Sequence, residues 1–339
     1  MNAQAVARAP YGRNQKVAVS AGQSQPFPDR YRGETYYGQP VLNPSHYGQL
    51  VATYLFIGGI GGASQMIATI ADVCGREKNS FVVRAGRYLA LGGALAGPAF
   101  LIADLHTPER WYNMLRIFRR TSAMSIGSWT LAGFGTLSAI TAALQFLADR
   151  LRRPFYRRAA QATALPATAA GMIVATYTGT LLGSTSIPLW ARASRRLPAL
   201  FGISAAATSA AMLSLIAEID GAPDQTKRRL EKFALITAGA ELIASNRLEW
   251  RWERENLAGP IKQEPIASAY RLGYQGLGLL FPLIVHGLNY ITKRRSERWS
   301  MVAAIATLAG GYLLRSIILR AGKESAQRPE DYFQITRPE

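Results

Sequence analysis

Seven side chains in this sequence are of the right type and placement to bind an oxidisable ring and move protons. Glu241 sits in AGAELIAS, with no charged neighbour within reach, so a carboxylate there is buried in apolar surroundings. A carboxylate at membrane depth is costly and marks a functional position by default. It serves either as a proton relay or carrier-site carboxylate, or as an interhelical hydrogen bond that fixes packing. Asp104 and His106, in LIADLHTPE, close an apolar run and could accept and pass protons near neutral pH; the alternative is a helix cap with an ion pair to Arg110. Tyr177, in TYTGTLL, offers a phenol beside Gly179, which suits the carbonyl of a quinone head; packed with its hydroxyl satisfied, it would be structural. Tyr54 and Gln65 are weaker candidates of the same kind, and His46 stands at the mouth of the same run.

These residues need apolar helices to hold them. The chain has 339 residues, a net charge of +18 and a mean hydropathy of only +0.02, but the charge is confined to short blocks between long uncharged runs. That is how a polytopic membrane protein distributes charge. Basic clusters such as Arg150–Arg158 and Lys293–Arg298 lie between apolar spans, where they anchor to headgroups, so no nucleic-acid partner is expected. The single cysteine, Cys74, excludes disulfide scaffolds, cysteine-ligated iron–sulfur clusters and zinc ribbons within the chain. The three histidines, His46, His106 and His286, fall in different segments and form no paired haem site, so any redox metal belongs to a partner.

The expected fold is an all-α integral membrane protein with about eight transmembrane helices, near 47–71, 86–106, 122–148, 161–187, 197–219, 230–247, 269–292 and 299–320. The sixth is the weakest, and without it the termini would lie on opposite sides. Small residues crowd the first two spans, where they let helix backbones approach. Residues 1–45 read as a polar tail, 46–322 as the transmembrane domain and 323–339 as a second polar tail. Between the second and third spans, Thr107 can cap a short helix with Pro108 at its first position. Trp111, Met114, Leu115 and Phe118 recur at helical spacing opposite Arg116, Arg119 and Arg120, the pattern of a helix lying on a membrane surface. SNRLEWRWEREN after the sixth span reads as a surface loop. Asp72, Glu218 and Asp220 are expected to be solvated carboxylates at span ends, His286 a packing residue, and Arg315 a structural partner for Glu241 or Glu218. The short basic loops near 72–87, 149–160, 220–232 and 293–298 are expected to be cytoplasmic, with both termini and the Asp104–Arg120 segment outside.

With these residues in hand the chain resembles the NrfD/polysulfide-reductase membrane subunit family over about residues 47–322. The likeness rests on YLFIGGIGGA (Tyr54–Ala63), LIADLHTPERWYNMLRIF (Leu101–Phe118), SAMSIGSW (Ser122–Trp129), TYTGTLL (Thr176–Leu182), the span holding Glu241, GLGLLFPLIV (Gly276–Val285) and LLRSIILRAG (Leu313–Gly322). It departs in SHYGQLVATY, where relatives often carry Trp. The resemblance implies two four-helix bundles without haem, in the bacterial inner membrane. It also implies electron exchange between menaquinone or ubiquinone and a peripheral iron–sulfur subunit, beside a catalytic molybdopterin or multihaem subunit. Tyr177, Asp104 and Glu241 match the family pattern, and His46 matches it loosely. By itself the chain is expected to have no turnover. Two rival readings are a proton-translocating module of an alternative complex III-like assembly and a plain membrane anchor.

Overall fold

Glycine decides where the helices meet. A Cβ on Gly62 would overlap the Gly171 carbonyl, one on Gly93 would come within 2.6 Å of the Gly61 Cα, and one on Gly278 within 2.5 Å of the Gly310 Cα. The small-residue runs of the sequence are therefore sites of backbone-to-backbone contact, which is how helices associate where water release contributes little.

The computed structural model describes residues 42–336, all helix and connecting turns; most of the stretch read as the N-terminal tail lies outside the described residues. The long rods are α1 (Gln49–Val73), α2 (Arg76–Ala103), α3 (Ala123–Leu151), α4 (Pro154–Gly183), α5 (Arg196–Ile219) and α6 (Asp224–Arg254), followed by α7 (Phe281–Thr292), α8 (Glu297–Gln327) and a short α9 (Pro329–Thr336). Six of them, α1 to α5 and α8, are long and apolar enough to cross a bilayer. Of the other two expected spans, α6 is 31 residues long but heavily charged, and the seventh is divided. Its first part, Ala269–Leu280, is wound as a π-helix, and only then does α7 begin. Gly273, Gly276 and Gly278 lie in that wide-turned part, which packs on α8. α1 is central: it packs against α2, α4, α5 and α8.

Several segments differ from the sequence reading for local reasons. The sixth helix runs on through SNRLEWRWER to Arg254 in place of a surface loop. Ser245, Leu248 and Trp252 form a buried stripe there, and the Trp252 indole donates to the Leu189 carbonyl at 2.9 Å. The fourth helix ends at Gly183, and Pro188–Ala191 forms a separate turn that buries Trp190, whose indole donates to the Ile318 carbonyl. The expected amphipathic helix is a 3-10 stretch, Pro108–Leu115, with non-helical backbone at Arg110 and no side-chain cap from Thr107. None of its residues is buried, so its apolar side chains remain available to a lipid surface.

Asp72 is not a solvated end-of-span carboxylate. Arg87 reaches it at 2.7 Å with both side chains buried, and Gln161 donates to its other oxygen. Glu218 is likewise buried, held by Lys227 at 2.8 Å and by Arg295. Only Asp220 of the three is exposed. The two buried carboxylates face cations from a neighbouring segment, which offsets part of the desolvation cost of both.

After Arg320 the chain stays helical and α9 packs back on α8 and on the Pro188–Ala191 turn. Asp331, 1% exposed, accepts from the Ser325 hydroxyl at 2.7 Å. Burial raises its carboxyl from 3.8 to about 6, against the opposing pull of Ser325 and Arg328. The folded chain then holds this proton more tightly than the unfolded one, so docking of α9 gains as pH falls through about 6 and loses as pH rises through it. Proteolysis of the C-terminal segment should therefore be slower at pH 5 than at pH 7.5. Asp331→Asn should remove that difference when each pH is compared with wild type.

Candidate functional site

The end of α1 that opens towards residues 104–107 gathers most of the chemistry. His46 and His106 approach edge to face, with ring centroids 6.4 Å apart, and both are exposed. Asp104, half-buried, caps the C-terminal end of α2, and its Oδ1 comes within 3.5 Å of where a Cβ on Gly48 would lie. Gly48 thus leaves the carboxylate room beside the start of α1. Asp104 makes no ion pair with Arg110 among the described residues, so the predicted surface pair does not form.

Below this mouth lie two phenols. Tyr54 is buried, its ring against Gly58 and Gly97 at 3.7 Å from the position of each missing Cβ. Tyr177, half-buried on α4, donates its hydroxyl proton to the Ala123 carbonyl at the start of α3. A Cβ on Gly127 would overlap the Tyr177 ring, so the ring occupies space that only glycine leaves free. Ala123 and Gly127 act on Tyr177 from 54 and 50 positions away in the chain, a contact that their place in SAMSIGSW does not reveal. Gln65 lies three turns deeper on α1, bonded to Thr69 at 3.4 Å, and belongs to a polar string with Thr168 rather than to the mouth.

Glu241 belongs to a second group. Its Oε1 accepts from the Tyr274 hydroxyl at 3.2 Å. Ser204, whose hydroxyl accepts from Arg315 Nη1 at 2.7 Å, stands near the same carboxylate. Arg315 is 1% exposed. It also donates to the Gly311 and Phe201 carbonyls, and it lies against the rings of Phe56 and Phe201 at 5.9 and 5.4 Å. Arg315 and Glu241 act on each other electrostatically, with no ion pair inside 4 Å among the described residues; Ser204 and Tyr274 were not singled out by sequence. α1 separates the groups: it turns Gly58 towards Tyr54 and Val174, and Gly59 towards Ala205 and Arg315.

The structure thus brings His46, Asp104 and His106 together above Tyr54 and Tyr177 and keeps Glu241 apart from them. Among the described residues no three His, Cys, Asp or Glu side chains converge as a metal-binding group. No curated protein matches the chain. The family described as "Polysulphide reductase, NrfD" matches residues 40–325. That match spans every long helix described above, and the chain belongs to the NrfD family, multi-pass membrane subunits of respiratory oxidoreductase complexes.

Proposed function

We propose that this chain binds a quinone or quinol, menaquinone or ubiquinone, at the mouth formed by α1, α2, α3 and α4. There it exchanges electrons with a peripheral iron–sulfur subunit that serves a molybdopterin or multihaem catalytic subunit. The observation that carries the reading is the convergence of two imidazoles and a carboxylate over two phenols at one end of apolar helices. The donor set fits a ring with two carbonyl oxygens, since imidazole and phenol can each donate a hydrogen bond to such an oxygen. When bound, the carrier supplies two-electron chemistry coupled to two protons. His46 and His106 orient the head at the open side. Asp104 takes or gives a proton where the chain leaves the apolar layer. Tyr54 and the Tyr177 ring form the inner wall, and the exposed apolar face of residues 108–118 shields it from water.

In this reading all eight rods span the inner membrane of a bacterium, α6 and residues 269–292 included. α1 to α4 form one four-helix group and the remainder the other, and the mouth faces outward. Replacing Asp104 by Asn should lower quinone-coupled turnover of the assembled complex by about 100-fold. Dye-linked activity of the catalytic subunit should be unaffected. Equal quinone turnover in the variant removes Asp104 from the reaction.

The buried group of Glu241, Ser204 and Arg315 favours one second reading, in which the same subunit also moves protons through the bilayer. Proton-to-electron stoichiometry in proteoliposomes, compared between wild type and Glu241→Gln, separates the two.

A further inference from the structure

A cleft of about 620 Å³ lies far along the chain from the mouth, between the first turns of α6 and the last turns of α7. That is the size range of sites for small ligands. Five cations line it against one carboxylate. Two of the cations are already engaged: Arg229 donates to Asn79 at 2.7 Å, and Arg295 pairs with Glu218 and Glu231. The Glu231 carboxylate is itself occupied by Ser300, Asn289 and Arg295. Arg228, Lys232 and Lys293 remain exposed and form no ion pair within hydrogen-bonding range among the described residues. Arg228 donates only to the Lys293 carbonyl at 3.4 Å, and Lys232 stands 5.5 Å from the centre of the Tyr290 ring.

The floor of the cleft gives the second, independent observation. His286 lines it at 4% exposure, and its Nδ1 has no hydrogen-bond partner. The outer wall is apolar: Ile236, Leu288 and Ile291 are 67%, 55% and 76% exposed on the same two helices. The cleft therefore combines a cationic rim and an apolar flank, with the buried His286 in its wall.

We infer that this cleft holds the headgroup of an anionic phospholipid. Its phosphodiester would lie among Arg228, Lys232 and Lys293, and its acyl chains would run along Ile236, Leu288 and Ile291. Phosphate is the recognised chemistry, and the apolar flank selects a lipid over the free ion. The site is distinct from the mouth and does not depend on the quinone reading.

The test is native mass spectrometry of the full-length chain in detergent, offered phosphatidylglycerol, phosphatidylcholine or inorganic phosphate at equal concentration. Wild type should retain phosphatidylglycerol at least tenfold better than phosphatidylcholine, by an order-of-magnitude expectation for three juxtamembrane cations. The triple variant Arg228→Ala, Lys232→Ala, Lys293→Ala should lose that preference, and its exposed positions leave the fold intact. A matched triple variant at the other basic segment, Arg152→Ala, Arg153→Ala, Arg157→Ala, should keep the preference. Arg228→Lys with Lys232→Arg should also keep it. Equal retention of the two lipids, equal losses in both triple variants, or binding of inorganic phosphate without phosphatidylglycerol would each overturn the assignment.

Discussion

Arg315→Ala should be among the most destabilising single substitutions in this protein, by roughly 3–5 kcal/mol, as for breaking a buried charge pair from one side. Its guanidinium is buried between α1, α5 and α8, and it makes three hydrogen bonds, to Ser204, Gly311 and Phe201. Removing it leaves Glu241 buried with the Tyr274 hydroxyl as its hydrogen-bond partner. It also opens space beside Gly59 and Gly311, each within 3.4 Å of the guanidinium when a Cβ is placed on it. The fraction of protein remaining monodisperse after heating in detergent measures this. Arg315→Met with Glu241→Gln should recover much of the loss, because no unpaired charge stays behind. If Arg315→Ala heats like wild type, the guanidinium is not what stabilises Glu241.

Gly127→Ala should instead leave stability nearly intact and impair quinone-linked turnover. The added methyl group meets a side chain, the Tyr177 ring, which can swing away towards the half-open space it borders. That breaks the hydrogen bond to Ala123 and moves the inner wall of the mouth. Misplacement of about 1 Å around a reacting group can cost about 100-fold. Tyr177→Phe isolates the hydroxyl from the ring. If Phe behaves like wild type while Gly127→Ala does not, the ring shapes the site and its hydroxyl only ties α4 to α3. Turnover of the assembled complex with a short-chain quinol, together with the amount of complex recovered, distinguishes the outcomes.

What could be read from the sequence was whatever depends on local composition. Long uncharged runs gave the positions of the helices, and glycine clusters marked where they touch, because a missing side chain has the same consequence in any partner arrangement. Asp104, His106 and His46 were visible as titratable groups at the edge of apolar runs, and their convergence agrees with that. Pairings made over long separations were not visible. Nothing local says that Arg87 turns inward to Asp72, or that Arg315 bonds Ser204 near Glu241. Trp252 shows why the charged stretch after the sixth span was misread: its burial against Leu189 is a tertiary gain that outweighs the polar look of SNRLEWRWER. His286, expected to be a packing residue, is buried in the wall of the cleft beside α6.

The central claim is that the carrier's head sits among His46, Asp104, His106, Tyr54 and Tyr177. A photoactivatable quinone analogue, cross-linked to the assembled complex and mapped by peptide mass spectrometry, tests it most directly. Labelling should fall on peptides containing residues 46–54, 104–107 or 177 and should disappear with excess unlabelled quinone. Competable labelling confined to peptides around Glu241 and Tyr274, or to another subunit, would contradict it.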